Sequence, residues 1–174
     1  MTLFVSLAAL LVAQASPHPN ANANQPHAAS PNAGGPATPI GMPITLDHAK
    51  RVAAAAAAEA RKNGWFMAVA VVDPGGTLIY YEKADNTQMG SAVVAVDKAK
   101  SAALYKRPTK AFQDALAKGG EGLRVLGLAG AIPVDGGQPL ILDGKLIGGL
   151  GVSGDTSEHD NQCAMQGVAA LTAK

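Results

Sequence analysis

Lys106, Arg107, Pro108, Thr109 and Lys110 place three cations and one hydroxyl around a single interruption in a helical pattern. Proline lacks an amide donor and disfavours the helical region for the residue before it. A helix arriving from the N-terminal side must therefore stop near Lys106, and another can start at Thr109. The threonine is then placed to cap the second helix, its hydroxyl accepting from the amides near Ala111 and Phe112. The same arrangement makes chemistry available: free amides at a helix start, flanked by Arg107 and Lys110, form a receptor for a carboxylate or a phosphate. The two roles are compatible.

Asp73, Glu82, Asp85, Asp97, Glu158 and Asp160 supply carboxylates. With Arg107 holding a substrate's carboxylate, one of them could move a proton on a small acid. Most have simpler explanations. Asp73 falls at a turn, Asp97 and Lys98 read as helix surface, and Glu158 follows Asp155 at capping-box spacing. No nucleophile with an adjacent base, no zinc-ligand spacing and no phosphate-cradling loop is present. Gly136-Gly137 and Gly148-Gly149 lie beside strand turns rather than opening a helix, which argues against nucleotide binding. An acid-base enzyme acting on a small carboxylated metabolite is thus the alternative to a binding protein, with no catalytic residue assigned.

The elements that must position these groups can be read from pattern. Thr45 can cap an alanine-rich helix that Asn63-Gly64 ends. The apolar run Phe66–Asp73, the Pro74-Gly75-Gly76 turn and Thr77–Lys83 form a hairpin. Ser91–Tyr105 is helical, with Val93, Val94, Val96, Ala99, Ala103 and Leu104 as its buried stripe. A short helix spans Thr109–Lys118, and Leu123–Ile132 is expected to hold a strand or an extended loop. Gln138–Gly154 is a second hairpin about Asp143-Gly144, whose Gly148, Gly149 and Gly151 admit a close backbone or ligand. Asp155 or Thr156 then caps a last helix. Hairpin-linked strands with helices between them predict an antiparallel sheet covered on both faces.

With 174 residues, 48% of them hydrophobic, 16% charged and a net charge of +1, the chain can bury an ordinary core and carries no basic surface suited to nucleic acid. Its single cysteine excludes a disulfide framework and a CxxC pair. Residues 1–15 read as a signal peptide: Leu3–Ala15 is an apolar run closing in Ala13-Gln14-Ala15, although Met1-Thr2 supplies no positive charge. The expected location is periplasmic or secreted, with no membrane contact after cleavage. Residues 16–43, rich in Pro, Asn, Ala and Gly, read as a disordered linker, whose His18 and His27 carry no metal role. The folded domain is expected at 44–174.

Four blocks occur in order over Thr45–Leu171: AVAVVDPGGTLI, DKAKSAALYKRPTKAF, GAIPVDGGQPLILDGKLIGGLGVSG and SEHDNQCAMQGVAAL. Together they resemble the GlcG/HbpS-like, or heme-degrading-domain, family. The resemblance implies an α/β, profilin-like three-layer α/β/α fold, here with a five-stranded antiparallel sheet, and assembly into homodimers or higher homo-oligomers. It also implies a small-molecule ligand, heme or its iron. The threonine of the PT pair, linked to heme in secreted members, matches Thr109. Iron prefers His, Cys, Met or Tyr to Thr. His159 and Cys163, one turn apart on the last helix, are therefore candidates by chemistry, with Tyr105, Met89 and His48 behind them. The expected ligand site is Arg107, Thr109, Lys110, Gly149, Gly151 and His159.

Overall fold

A computed structural model describes residues 37–172. The signal peptide, His18, His27 and most of the linker lie outside the described residues. The linker's last residues are placed: Pro39 accepts from and Gly41 donates to Leu146, and Ile40 forms a lone parallel bridge to the same residue.

Helix α1 (Leu46–Asn63) starts at Thr45, whose hydroxyl accepts from the His48 amide, and ends at Gly64 with φ of 74°. Strands β1 (Ala68–Val72) and β2 (Leu78–Lys83) form the first hairpin. Asp73 Oδ1 closes their turn, accepting from the Gly75 and Thr77 amides at 2.9 and 2.8 Å. Helix α2 (Met89–Tyr105) and helix α3 (Lys110–Ala117) follow, then a 3-10 helix over Gly120–Gly127. Strands β3 (Gly137–Leu142) and β4 (Lys145–Ser153) turn through Asp143 and Gly144, both at positive φ, as an Asp-Gly hairpin requires. Helix α4 (Ser157–Ala170) closes the domain.

The sheet has four strands in the order β2-β1-β4-β3, all antiparallel. The expected fifth strand is not formed, because Leu123–Ile132 folds as the 3-10 helix and a loop instead. That segment carries two glycines, and its loop is fastened by side chains: Ser101 Oγ accepts from the Ile132 amide at 3.0 Å, and the Tyr105 hydroxyl donates to the Ala129 carbonyl at 2.7 Å. Helix α2 covers one face, over Ala68, Ala70 and Val72, and α1 and α4 cover the other, over Val69, Val71, Leu150 and Val152.

Of the stripe expected to be buried on α2, only Ala99 and Ala103 are fully so. Ala95, Ala99, Ala102 and Ala103 face the sheet, whereas Val93 and Leu104 are 64% and 51% exposed. Gly149 and Gly151 explain the preference for alanine. A methyl on Gly151 would overlap the Ala95 carbonyl oxygen and the Ala99 amide, and one on Gly149 would overlap the Ala99 carbonyl oxygen. Helix and strand touch backbone to backbone, so larger side chains are turned outward.

Gly151→Ala should therefore lower stability in urea by ~1–3 kcal/mol, since backbone cannot yield as a side chain would. Gly90→Ala, in the same helix with open space around it, should raise stability by ~0.5–1 kcal/mol. Equal effects of the two would overturn this account of the packing.

Candidate functional site

The 106–110 break is closed on itself. Lys106 takes the left-handed conformation at φ 53°, and the Lys106 and Arg107 amides donate to the Ala103 and Ala102 carbonyls, a Schellman stop built without glycine. Lys106 Nζ donates to the Thr38 carbonyl at 2.8 Å. Thr109 does not cap α3. Its φ and ψ of −63° and −23° are already helical, so the side chain cannot reach back over the first turn as an extended capping residue does. Instead it is fully buried and joined twice to Gly137: its amide donates to the Gly137 carbonyl at 3.0 Å, and its hydroxyl accepts from the Gly137 amide at 2.9 Å.

Arg107 is half-buried, its Nε donating to the Tyr105 carbonyl at 3.1 Å and its guanidinium standing 5.7 Å from the Phe112 ring centre. Lys110 is exposed and paired with Asp114 at 2.6 Å. Gly149 and Gly151 admit the α2 backbone, not a ligand. The structure thus gathers Arg107, Thr109 and Lys110 at one corner and gives Thr109 and the two glycines structural tasks. His159 stands apart, on α4 across the sheet.

Thr156, one of the two capping candidates, caps α4, its hydroxyl accepting from the His159 amide at 3.3 Å. Asp155 has a different task. Its Oδ1 accepts from the Thr156 amide at 2.7 Å and lies 3.0 Å from His159 Nδ1. Those bonds, the backbone one foremost, hold its carboxyl below the usual range. An ionised carboxylate can only accept, so Nδ1 carries the proton and the lone pair of the neutral ring falls on Nε2. The imidazole also stacks on Trp65, with ring centres 3.9 Å apart and planes 13° from parallel. Its side chain remains 38% exposed. Cys163, on the same helix face, is fully buried, and burial pushes its thiol up to about 12. Without a metal it is a neutral thiol at ordinary pH.

Residues that pattern reading passed over lie beside this helix. Lys98, expected on the helix surface, and Asp160, expected only as one of six available carboxylates, form a buried ion pair: Lys98 Nζ donates to Asp160 Oδ2 at 2.6 Å and to the Val152 carbonyl at 3.1 Å. Gly136, at φ 110°, passes so close that a methyl would meet Asp160 Cβ, the Val152 carbonyl and Lys98 Nζ. Asp135 is buried next to it, accepting from the Gly136 amide at 2.7 Å, with its own amide donating to Gln113. A helical apolar spacing assigns Lys98 to the surface, so only the tertiary fold reveals the pair.

Cavities of about 260 and 320 Å³ are among those that open in the described residues. Neither is lined by any of the six expected site residues. Trp65 lines the smaller, with Arg61, Glu82 and Lys83; His48 lines the larger.

A family model described as "Haem degrading protein HbpS-like" matches residues 44–169. The chain belongs to that family. The HbpS-like domain is 35% identical to protein GlcG of Escherichia coli K12 over 110 residues, 63% of this chain and 81% of that one. Its fold is similar to a crystal structure of HbpS, with a TM-score of 0.70, 30% identity and coverage of 76% and 93%. It is likewise similar to a crystal structure of a PduOC–heme complex, with a TM-score of 0.69, 28% identity and coverage of 75% and 96%.

Burial pushes the Asp135 carboxyl above its ordinary value, against the pull of the Gly136 amide and of Lys110 and Lys98. A native state that holds a proton more tightly than the unfolded chain loses stability as pH rises through the folded value. Asp135→Asn removes that loss. Its urea midpoint should gain on the wild type as pH rises above the ordinary carboxylate value of about 4; a pH-independent difference would refute the perturbation.

Proposed function

We propose that this HbpS-like domain binds heme with His159 Nε2 as the protein ligand to iron. The observation that carries the reading is the Asp155–His159 bond: a carboxylate on Nδ1 fixes ring and tautomer and leaves the other nitrogen basic and reachable, as in carboxylate-supported metal histidines. The donor set otherwise fits poorly. Thr109, with its amide and hydroxyl bonded to Gly137, is a wall residue in this reading rather than a ligand. The heme-complexed relative supports the ligand class. When bound, heme supplies a redox-active iron, and this chain's part is to hold it, with Trp65 keeping the imidazole upright and excluding water from one side of it.

We further infer a profilin-like fold, for which the three layers speak, and self-association, for which the exposed Val93, Leu104, Leu123 and Leu126 speak. Export to the periplasm or beyond rests on the apolar N-terminus ending in Ala13-Gln14-Ala15. Sequencing the N-terminus of cell-derived protein should read from Ser16, and an N-terminus at Met1 or Thr2 would end that proposal.

Hemin added to the full chain should give a Soret band that titrates to a fixed stoichiometry and should quench Trp65, the sole tryptophan of the chain. Asp155→Asn should weaken binding about 10–100-fold, and His159→Ala should abolish the liganded spectrum while Thr109→Ser retains it. An unchanged spectrum and affinity in His159→Ala would refute the assignment.

A further inference from the structure

The smaller cavity lies between α1 and β2, with Trp65 in its wall. Its apolar wall is Ala57, Ala60, Met67 and Trp65. Its charged groups are unusual in what they lack. Arg61, in the last turn of α1, and Lys83, at the end of β2, are both exposed, and neither enters an ion pair among the described residues. Glu82 also lines the space. Its Oε2 accepts from the Tyr80 hydroxyl at 3.0 Å, while Oε1 is shut off from solvent and has no partner. A buried acceptor left unmade is destabilising, and the terminal carboxylate torsion is soft enough to turn an oxygen into the cavity.

We propose that this cavity binds a small zwitterion, an α-amino acid with an apolar side chain. The ligand's ammonium satisfies the Glu82 carboxylate, its carboxylate is held by Arg61 and Lys83, and its side chain rests on the alanines, Met67 and the Trp65 ring. A simple amine would meet the two rim cations unfavourably, and a simple acid would leave the Glu82 oxygen unpaired. Both charges on one small molecule answer both conditions. About 260 Å³ accommodates a molecule of this size and not a macrocycle. This site is separate from the heme reading, although both touch Trp65.

The test uses heme-free full-length protein and the emission of Trp65, with three probes that share one hydrocarbon: L-valine, isobutylamine, which lacks the carboxylate, and isovalerate, which lacks the ammonium. L-valine should give a saturable change, both analogues should bind at least about tenfold more weakly, and Glu82→Gln should weaken valine at least about tenfold without altering isovalerate. Valine is titrated into heme-free protein and hemin binding is read separately from its Soret band, so failure of the heme reading and failure of this one are distinguishable. Calorimetry with the same probes decides where emission is silent. No saturable signal by either method up to about 10 mM, or isovalerate or isobutylamine binding as well as valine, would overturn the proposal. The analogue comparison uses the wild type alone and stands whether or not Glu82→Gln folds.

Discussion

The contact on which the rest of this domain depends is that of two backbones, α2 against β4. Gly149 and Gly151 point at the helix, and their missing Cβ atoms leave only enough space for the Ala95 and Ala99 peptide groups. Alternation along β4 does the rest, because Leu150 and Val152 between those glycines point to the opposite face and pack under α1 and α4. One strand therefore presents a flat, side-chain-free surface to one layer and a branched apolar surface to the other. The two cores differ accordingly: alanines with Val72 on the α2 side, and Val, Leu, Ile and Met side chains on the other.

Because α2 lies so low on the sheet, Lys98 can extend past the sheet's end and reach both the Val152 carbonyl and Asp160 on α4. A buried ion pair recovers little of its desolvation cost, but losing one partner is expensive. The pair fixes where α4 begins, and with it the orientation of the turn carrying Asp155, Thr156 and His159. The double bond of Thr109 to Gly137 acts similarly at the other end of α2, fastening the corner to the first residue of β3. Gly137 cannot carry a side chain there, since a methyl would strike Thr109 Cγ2.

Much of this was legible in the sequence wherever the signal was local. The Asn63-Gly64 stop, the Asp143-Gly144 hairpin and the interruption at Pro108 depend on residues that set their own backbone angles. The glycines of β4 announced a close approach, and only the identity of the visitor was open. What could not be read was anything set by partners distant in sequence. Thr109 has the type and position of a helix cap, yet its partner is 28 residues away. Lys98 resembles a surface lysine until Asp160, 62 residues on, is brought beside it. The stripe of α2 was legible only at Ala99 and Ala103, because apolar size normally marks the buried face; here a glycine-lined neighbour inverts that rule. Leu123–Ile132, where a strand and an extended loop were both open, carries apolar residues but no ladder partner to make it a strand.

The same asymmetry argues for where a ligand can sit. On the α2 face, peptide groups and methyls fill the interface so closely that space for even one added methyl is lacking at Gly149 and Gly151, so no cavity can form beneath that helix without displacing it. On the opposite face, α1 and α4 stand on branched and aromatic side chains whose shapes leave gaps at the edges, and the cavity beside Trp65 is one of them. The basic corner at Arg107–Lys110 drew attention because it concentrates charge. Charge alone does not make a receptor when the amides and hydroxyl around it are already bonded and its Lys110 is paired with Asp114. His159, held by Asp155 and Trp65 with one nitrogen still reachable, meets the opposite condition: fixed in orientation, yet with a coordinating atom to spare. Recognition in this fold falls to the layer built from large side chains, and the layer built from small ones supplies the rigidity that keeps it in place.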